Sequence, residues 1–206
     1  RLPAMSFPDR NRPAWFAGGA ALLIAILMTI GLRMPGRVWI DDSGVRAFVA
    51  SPDSPETSQH LADPYTFTHL LHGVVLFWPL TWAARRRLPE RWRAFPGGAV
   101  SAAFVFCAVL EAGWELLENS TAVINRYRAN TAALGYSGDA IVNSLGDLVA
   151  CLAGFLLARQ IGGKASAALF LAVELALLVA IRDGLLLSVV MLAVPLEGLQ
   201  AWQAAR

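Results

Sequence analysis

Long apolar runs constrain the fold of this chain more than any other feature. A helix that crosses a bilayer needs about 20 predominantly apolar residues, and five segments of the 206-residue sequence have roughly that length or more. They cover residues 15–32, 66–84, 97–118, 139–158 and 165–194. Only 16% of the residues are charged, whereas soluble domains average about 25%. The sequence therefore predicts a single integral membrane domain over residues 1–206, an all-α polytopic bundle of about five transmembrane helices.

The fifth run is the one in which charged residues interrupt the apolar pattern most visibly. Glu174, Arg182 and Asp183 lie within it. We expect one tilted helix over 165–194, with two shorter helices divided at the Arg-Asp-Gly triplet as the alternative. Glu174 lies too far from the other polar residues to join them in this topology, and we expect it to serve packing or a partner contact.

Basic residues predict the orientation of the bundle, because Lys and Arg accumulate in short cytoplasmic loops. Three basic clusters fall on one side of a five-helix topology: Arg1, Arg10 and Arg12, the segment 85–93, and Arg159 with Lys164. The N-terminus is therefore predicted to be cytoplasmic. The segments 33–65 and 119–138 are predicted to be polar loops on the outer side, the first with a short interfacial helix at 45–50 and a solvated His60.

Polar residues inside the apolar runs form the second conspicuous pattern. An ionisable residue at the centre of a spanning helix costs roughly 2.5–3.5 kcal/mol on insertion scales and usually marks function. In the second, third and fourth runs these residues, with Asn143 between Asp139 and Asp147, follow a spacing of three or four, which places them on one helix face. The predicted topology puts them all in the outer half of the bilayer, so we expect one polar layer that opens outward. Its candidate members are His69, His72, Glu111, Glu115, Glu118, Asp139, Asp147, Arg182 and Asp183.

A divalent metal is the chemistry that this layer suggests first. Imidazole together with carboxylate suits zinc, manganese or iron. We predict as metal ligands His69, His72, Glu111, Glu115 and Asp139. We further predict a general acid or base among Glu118 and Asp147. Arg182 and Asp183 complete the candidate catalytic set, with the alternative that they pair with neighbours and hold the fifth helix in register. Structural polar packing and a proton or ion path are the alternatives to the metal site.

The cysteines and the net charge are two further features of the sequence. Cys107 and Cys151 both lie in apolar runs, and we interpret them as buried small hydrophobes. The net charge is +2, and no basic strip alternates with aromatic residues, which excludes nucleic acid as a partner.

Four phrases of the sequence carry a resemblance to a known family. "DPYTFTHLLHG", "EAGWELLENS", "GYSGDAIVNSLGDLVACLAGF" and "IRDGLLLSVVML" together resemble a family of small bacterial inner-membrane proteins that carry only a domain-of-unknown-function label. The resemblance covers nearly the whole chain. It implies a multi-pass protein of the bacterial inner membrane and supplies no activity.

A weaker similarity links the polar layer to VanZ-like membrane proteins, which are associated with glycopeptide resistance. They share a His near the start of one helix, a Glu-rich following helix and a D-x-x-x-N-x-x-G pattern. Here the first two features fall on His69 or His72 and on Glu111 and Glu115, and the third begins at Asp139. The similarity implies that the polar layer is the functional centre.

Three functions fit these observations. The first is a metal-assisted hydrolase or transferase acting on a lipid-linked or envelope substrate reached from the outer leaflet. The second is a non-enzymatic membrane subunit or assembly factor. The third is a proton- or cation-coupled transporter. Membrane lipid is the expected partner in each case, and a homo-oligomer or a membrane complex is compatible with all three.

Overall fold

The computed structural model describes residues 15–90, 98–131 and 135–205, and within these ranges it consists of eight helices without a strand. The predicted all-α class is therefore confirmed. The basic residues Arg1, Arg10, Arg12, Arg91 and Arg93 lie outside the described residues, as does position 97, where the third run was expected to begin. The helices are α1 (Trp15–Arg33), α2 (Thr66–Arg87), α3 (Gly98–Glu118), α4 (Thr121–Asn130), α5 (Ile141–Ile161), α6 (Gly163–Ile181), α7 (Leu185–Ala193) and α8 (Glu197–Ala204).

Four of the described helices, α1, α3, α5 and α6, are long and apolar enough to cross a membrane. The remaining long helix, α2, has 22 residues, which corresponds to about 33 Å. Its two histidines and three C-terminal arginines make it less apolar than the other four. The expectation of about five spanning helices agrees approximately with this count, and the protein is an α-helical membrane bundle.

Two glycines bring α2 and α5 into backbone contact at the centre of the bundle. A Cβ atom on Gly73 would lie 1.8 Å from the carbonyl oxygen of Cys151, and one on Gly154 would lie 2.0 Å from that of Leu70. Only a hydrogen atom fits at either position, which is the way small residues let membrane helices approach closely. The contact places His69 of α2 opposite Asp147 of α5.

The bundle has an apolar end and a polar end. We call the polar end the one at which α2 and α5 begin and α3 ends. Towards the other end, Phe77, Phe104 and Phe155 pack edge to face, with ring centroids 5.0 and 5.6 Å apart. Cys107 and Cys151 lie in the same cluster as free, buried thiols whose sulfur atoms are 3.6 Å apart, as expected for small hydrophobes.

The expectation of one tilted helix over 165–194 is wrong, and the alternative of a division at Arg182 is correct. Helix α6 ends at Ile181, and Arg182 adopts a left-handed conformation with φ of 51°. Two carboxylates satisfy the free N–H groups at the start of α7. Asp183 accepts from Gly184 N at 2.8 Å, and Glu174 accepts from the next two backbone nitrogens at 2.8 and 3.1 Å. Glu174, assigned above to packing or a partner contact, is therefore a cap within the chain.

The connecting segments also depart from the expectations. Residues 45–50 form no helix, and a helix of only six residues is marginal on its own. They pair instead with the later part of the same segment, through Val49 N to Ala62 O at 3.0 Å and Leu61 N to Arg46 O at 3.1 Å. His60, which was expected to be solvated, is only 1% exposed and accepts a hydrogen bond from Arg46 N.

The second connecting segment, 119–138, was expected to be a loop and contains α4. The side chain of Ser120 accepts a hydrogen bond from Val123 N and caps this helix, as N-cap serines commonly do. The cap and helix fix the orientation of the side chains that follow Glu118, which matters for the site.

Candidate metal-binding site

A cavity of about 830 Å³ lies at the polar end, between α2, α3, α5, α7 and the two connecting segments. Along α2 its wall changes from Tyr65 and His69 through His72 to Val75 and Leu76. At 1.5 Å per residue, this stretch of wall is about 16 Å long. The cavity is therefore amphipathic: one end is polar and the other is lined by aliphatic side chains.

His69 is the centre of the polar wall. The residue is 5% exposed, and both ring nitrogens face carboxylates. Nδ1 lies 2.6 Å from Glu111 Oε1 and 3.3 Å from Glu115 Oε1, whereas Nε2 lies 3.9 Å from Asp147 Oδ2. One imidazole thus joins α2 to carboxylates of α3 and α5.

His72 lies one turn further along α2 and shares a carboxylate with His69. Its Nδ1 lies 3.0 Å from Glu111 Oε2 and 3.3 Å from Oε1. The two imidazole centroids are 5.1 Å apart, and Trp114 packs edge-on against His72 with a centroid distance of 6.2 Å. Glu111 is therefore held between two histidines.

Two groups of residues have the spacing of a metal-ligand set: His69, His72 and Glu111, and His69, Glu115 and Asp147. In each group one ligand atom per residue lies within 4.8 Å of the others, and tetrahedral zinc holds its ligand atoms about 3.4 Å apart. These buried groups could hold a metal ion. The first group lines the cavity with all three residues, whereas Glu115 of the second does not. A site with three protein ligands and one open side is the arrangement of catalytic metal centres.

Several buried carboxylate oxygens at the polar end have no hydrogen-bond partner among the described residues. They are both oxygens of Glu115, Oδ1 of Asp147 and Oε2 of Glu118. Glu115 Oε1 is near His69 Nδ1 but lacks hydrogen-bond geometry. A buried polar atom left unpaired costs about 1–3 kcal/mol, so these side chains are not arranged to maximise stability.

Asp139, a predicted metal ligand, lies in a different network. Its Oδ2 accepts from Asn119 Nδ2 at 2.7 Å and its Oδ1 from the Tyr136 hydroxyl at 2.9 Å. Its backbone N–H donates to Asn119 Oδ1 at 2.7 Å. Burial raises the pKa of Asp139, and the hydrogen bonds from Asn119 and Tyr136 oppose that rise. Both oxygens are engaged, and Asp139 belongs to neither ligand group.

Glu118 and Asp183, two predicted catalytic residues, line the cavity on either side of Tyr127. Burial and the nearby Glu118 carboxylate raise the pKa of Tyr127 well above its ordinary value, with smaller contributions from Asp139 and Asp183. The phenol therefore stays protonated in a negatively charged surrounding. Asp183 Oδ2 lies 3.4 Å from the Tyr65 hydroxyl.

Arg182 is the predicted site residue that the structure places away from the others. It is absent from the cavity wall as described. Its guanidinium donates to Trp202 O at 3.0 Å and lies 5.5 Å from the centroid of the Trp202 ring. These contacts tie the end of α6 to α8, which agrees with the structural alternative.

The tyrosines are the site residues that the sequence analysis missed. The chain has three, Tyr65, Tyr127 and Tyr136, and all of them line the cavity. The rings of Tyr127 and Tyr136 meet edge to face with centroids 5.3 Å apart. A signal existed, because all three lie in or beside the polar segments that flank the His, Glu and Asp residues.

The chain belongs to the family described as "Protein of unknown function (DUF2585)", which matches residues 32–205. Relatives named "UPF0314 protein" include one from Paracoccus denitrificans, 38% identical over 98% of both chains, and one from Brucella anthropi, 39% identical over 90% of both. A relative from Rhizobium meliloti, "UPF0314 protein R03235", is 37% identical over 98% of both chains.

The expected resemblance to a family of unknown function is therefore confirmed. The comparisons give no support to the VanZ-like similarity. No solved structure matches the chain at a significant level.

Proposed function

We propose that this member of a family of unknown function is a metal-dependent hydrolase or transferase of the bacterial inner membrane, acting on a lipid-linked substrate from the outer side. The observation that carries the proposal is the convergence of His69, His72 and Glu111 on the wall of an amphipathic cavity. A polar reaction centre beside an aliphatic wall suits a substrate with a polar headgroup and a hydrocarbon chain.

The metal would be held by His69, His72 and Glu111, with its open side toward the cavity. Zinc, manganese and iron all accept this mixture of imidazole and carboxylate. When bound with an open position, such an ion polarises the bond to be broken and lowers the pKa of a bound water molecule. Trp114 packs against His72 and restricts the rotation of its ring.

Asp147 is the residue best placed to accept the proton. It lines the cavity, the residue is only 4% exposed, and Oδ1 has no hydrogen-bond partner among the described residues. Water would add its oxygen to the carbonyl or phosphoryl centre while the bond to the leaving oxygen breaks. The proton would pass from the water to Asp147 and then to the leaving oxygen. In a transferase, an acceptor hydroxyl replaces the water.

The packing next to the site argues against a transporter. Phe77, Phe104 and Phe155 interlock directly towards the apolar end, together with the buried Cys107 and Cys151. A proton or cation leaving the polar wall would have to cross this aliphatic and aromatic layer. The cavity is therefore better suited to a reaction than to a conduction path.

The unpaired carboxylate oxygens argue against a purely structural role. Polar contacts between membrane helices contribute about 0.6–2 kcal/mol each when they are made. Glu115 and Asp147 place charged groups in the interior without completing such contacts. A subunit that used these residues only to hold helices together would gain little from them.

Product formation from bacterial lipids tests the proposal. The purified protein is reconstituted into vesicles of bacterial lipid extract with zinc, manganese or iron(II), and products are identified by mass spectrometry. We expect metal-dependent release of a headgroup or chain fragment by the wild type. The loss should be at least about 100-fold in His72→Ala and in Asp147→Asn. The control Glu197→Gln removes an exposed carboxylate outside the cavity and should keep full activity. Equal products with and without metal, or equal activity in His72→Ala, would contradict the proposal.

A further inference from the structure

The cavity wall is rich in acidic side chains. Among the lining residues that the structure describes there are six acidic side chains and no Lys or Arg. The nearby arginines point their donors elsewhere: Arg126 to the carbonyls of Leu192 and Ala193, and Arg128 to that of Tyr136. A headgroup that carries only negative charge would meet no Lys or Arg among the described residues of this wall.

Three of the acidic residues that line the cavity are interleaved with the three tyrosines. We call the outer pocket the part of the cavity formed by Tyr65, Glu118, Tyr127, Tyr136, Asp139 and Asp183. Its members lie close to one another: Tyr136 donates to Asp139, Tyr65 lies 3.4 Å from Asp183, and Tyr127 is near Glu118. Aromatic rings beside carboxylates are the usual surroundings of a bound ammonium group.

Glu118 lines the outer pocket and carries an oxygen with unused hydrogen-bonding capacity. Glu118 Oε2 is buried and has no hydrogen-bond partner among the described residues. Deeper in the same cavity Asp147, 4% exposed, leaves Oδ1 unpaired as well. An N–H donor from a bound molecule would complete the hydrogen bonding of Glu118.

Part of the cavity wall is apolar and reaches the exposed surface of the bundle. Leu185, Val189 and Leu192 of α7 follow a spacing of four and three, which forms one helix face, and all three line the cavity. Val189 is 53% exposed and Leu110, on the facing α3, is 50% exposed. A hydrocarbon chain can therefore lie between α7 and α3 with its end in the bilayer.

We propose that the substrate is an ammonium-bearing lipid, whose cationic headgroup lies in the outer pocket and whose chain lies along α7. This inference rests on the proposed function, because it names the substrate of the same cavity. It places the scissile bond between headgroup and chain, at the level of His69 and His72. Phosphatidylethanolamine-type lipids have the required chemistry, and anionic phosphatidylglycerol-type lipids lack it.

Binding to the metal-free protein tests this inference separately from the reaction. Chelator-treated protein in an uncharged detergent at mildly alkaline pH is titrated calorimetrically with lysophosphatidylethanolamine and with lysophosphatidylglycerol of the same chain. We expect the ammonium lipid to bind at least about fivefold more tightly. Phosphoethanolamine without a chain should bind at least about 100-fold more weakly than the lipid, because it cannot contact the apolar side chains of α7.

Two variants test whether the preference for the ammonium lipid depends on the outer pocket. Glu118→Gln should reduce the ammonium preference to less than about twofold, and Glu197→Gln, a matched exposed change outside the cavity, should leave it intact. Tyr127→Leu removes one aromatic ring without changing charge and should also weaken the preference, which covers the case in which Glu118→Gln does not fold.

Three results would overturn the inference. The first is equal affinity for the two lipids, and the second is an unchanged preference in a folded Glu118→Gln or Tyr127→Leu protein. The third is that the headgroup without its chain binds as tightly as the lipid. Because no metal is present, such a result would leave the metal-dependent reaction standing. Conversely, if the protein binds the ammonium lipid selectively but forms no product, the result would support the ammonium-binding pocket and contradict the proposed enzymatic activity.

Discussion

The two ends of the α2–α3–α5 core differ in how completely their side chains are satisfied. At the centre of the bundle α2 meets α5 through Gly73 and Gly154 with no space for a methyl group, and towards the apolar end aromatic rings interlock. At the polar end, the same three helices carry two histidines and a set of acidic side chains, of which Glu115, Glu118 and Asp147 have unpartnered oxygens.

This difference indicates that one end is optimised for packing and the other for a ligand. Close packing fixes the relative position of α2 and α5, and that position in turn sets the distances from His69 to Asp147 and to Glu111. The polar end gives up stability by keeping carboxylates buried and unpaired. Such local inconsistency is typical of functional sites, which are maintained by well-packed surroundings.

The largest expected effect is a loss of stability when the close contact between α2 and α5 is disturbed. Gly73→Ala should lower the free energy of unfolding by at least about 3 kcal/mol, because its Cβ would overlap the Cys151 carbonyl and force α2 away from α5. Gly113→Ala is the matched control, since nothing lies within 4 Å of a Cβ at that position. It should be neutral or stabilising by up to about 1 kcal/mol. Thermal and denaturant unfolding in detergent measures both, and equal stabilities would refute the close contact.

The next effect concerns metal at the polar end. A metal that binds the folded protein alone stabilises it by about 2.7 kcal/mol at a free concentration 100 times the dissociation constant. We expect zinc or manganese to raise the unfolding midpoint of the wild type and to leave His69→Ala/His72→Ala unchanged. Chelator should reverse the shift. The same shift in both proteins would place the binding elsewhere in the chain.

A smaller effect of opposite sign is expected at Asp147. Asp147→Asn replaces a buried carboxyl whose Oδ1 has no partner among the described residues, so the metal-free variant should be more stable than the wild type by about 1 kcal/mol. The same change should abolish product formation. A clear loss of stability would instead show that Asp147 holds the helices together, and the contrast between the two ends would disappear.

Much of this contrast could be predicted from the sequence because it depends on local patterns. Apolar runs of spanning length indicated the helices, and the three- and four-residue spacings of Glu111, Glu115 and Glu118 indicated a shared face. Their approach to His69 followed from the antiparallel order of the helices. These properties require no knowledge of which side chain bonds to which.

The features that the sequence did not predict depend on contacts between distant residues. The break after α6 is stabilised by Glu174, eleven residues before the Leu185 N–H that it accepts from. His60 is buried because its segment folds back on Arg46. Asp139 looked equivalent to Asp147 by spacing, yet Asn119 and Tyr136 occupy both of its oxygens. Periodicity carries no information about such partners.

The smallest expected effect is a pH dependence at Asp139. Because burial raises the pKa of this carboxyl in the folded protein, the folded state binds a proton more tightly than the unfolded state. Its contribution to stability is therefore fully present below the unfolded pKa of about 4 and is lost as the pH rises through the folded pKa. Relative to Asp139→Asn, the wild type should lose stability over that interval. Parallel pH profiles of the two proteins would contradict the assignment.

Elemental analysis of the detergent-purified protein tests the central claim most directly. The wild type is compared with His69→Ala/His72→Ala, and with His60→Gln as a control for the loss of a histidine outside the ligand groups; circular dichroism confirms that each is folded. The account predicts about one zinc, manganese or iron ion per chain in the wild type and in His60→Gln, and none in the double variant. Absence of metal from all three folded proteins, or equal metal in the double variant, would contradict it.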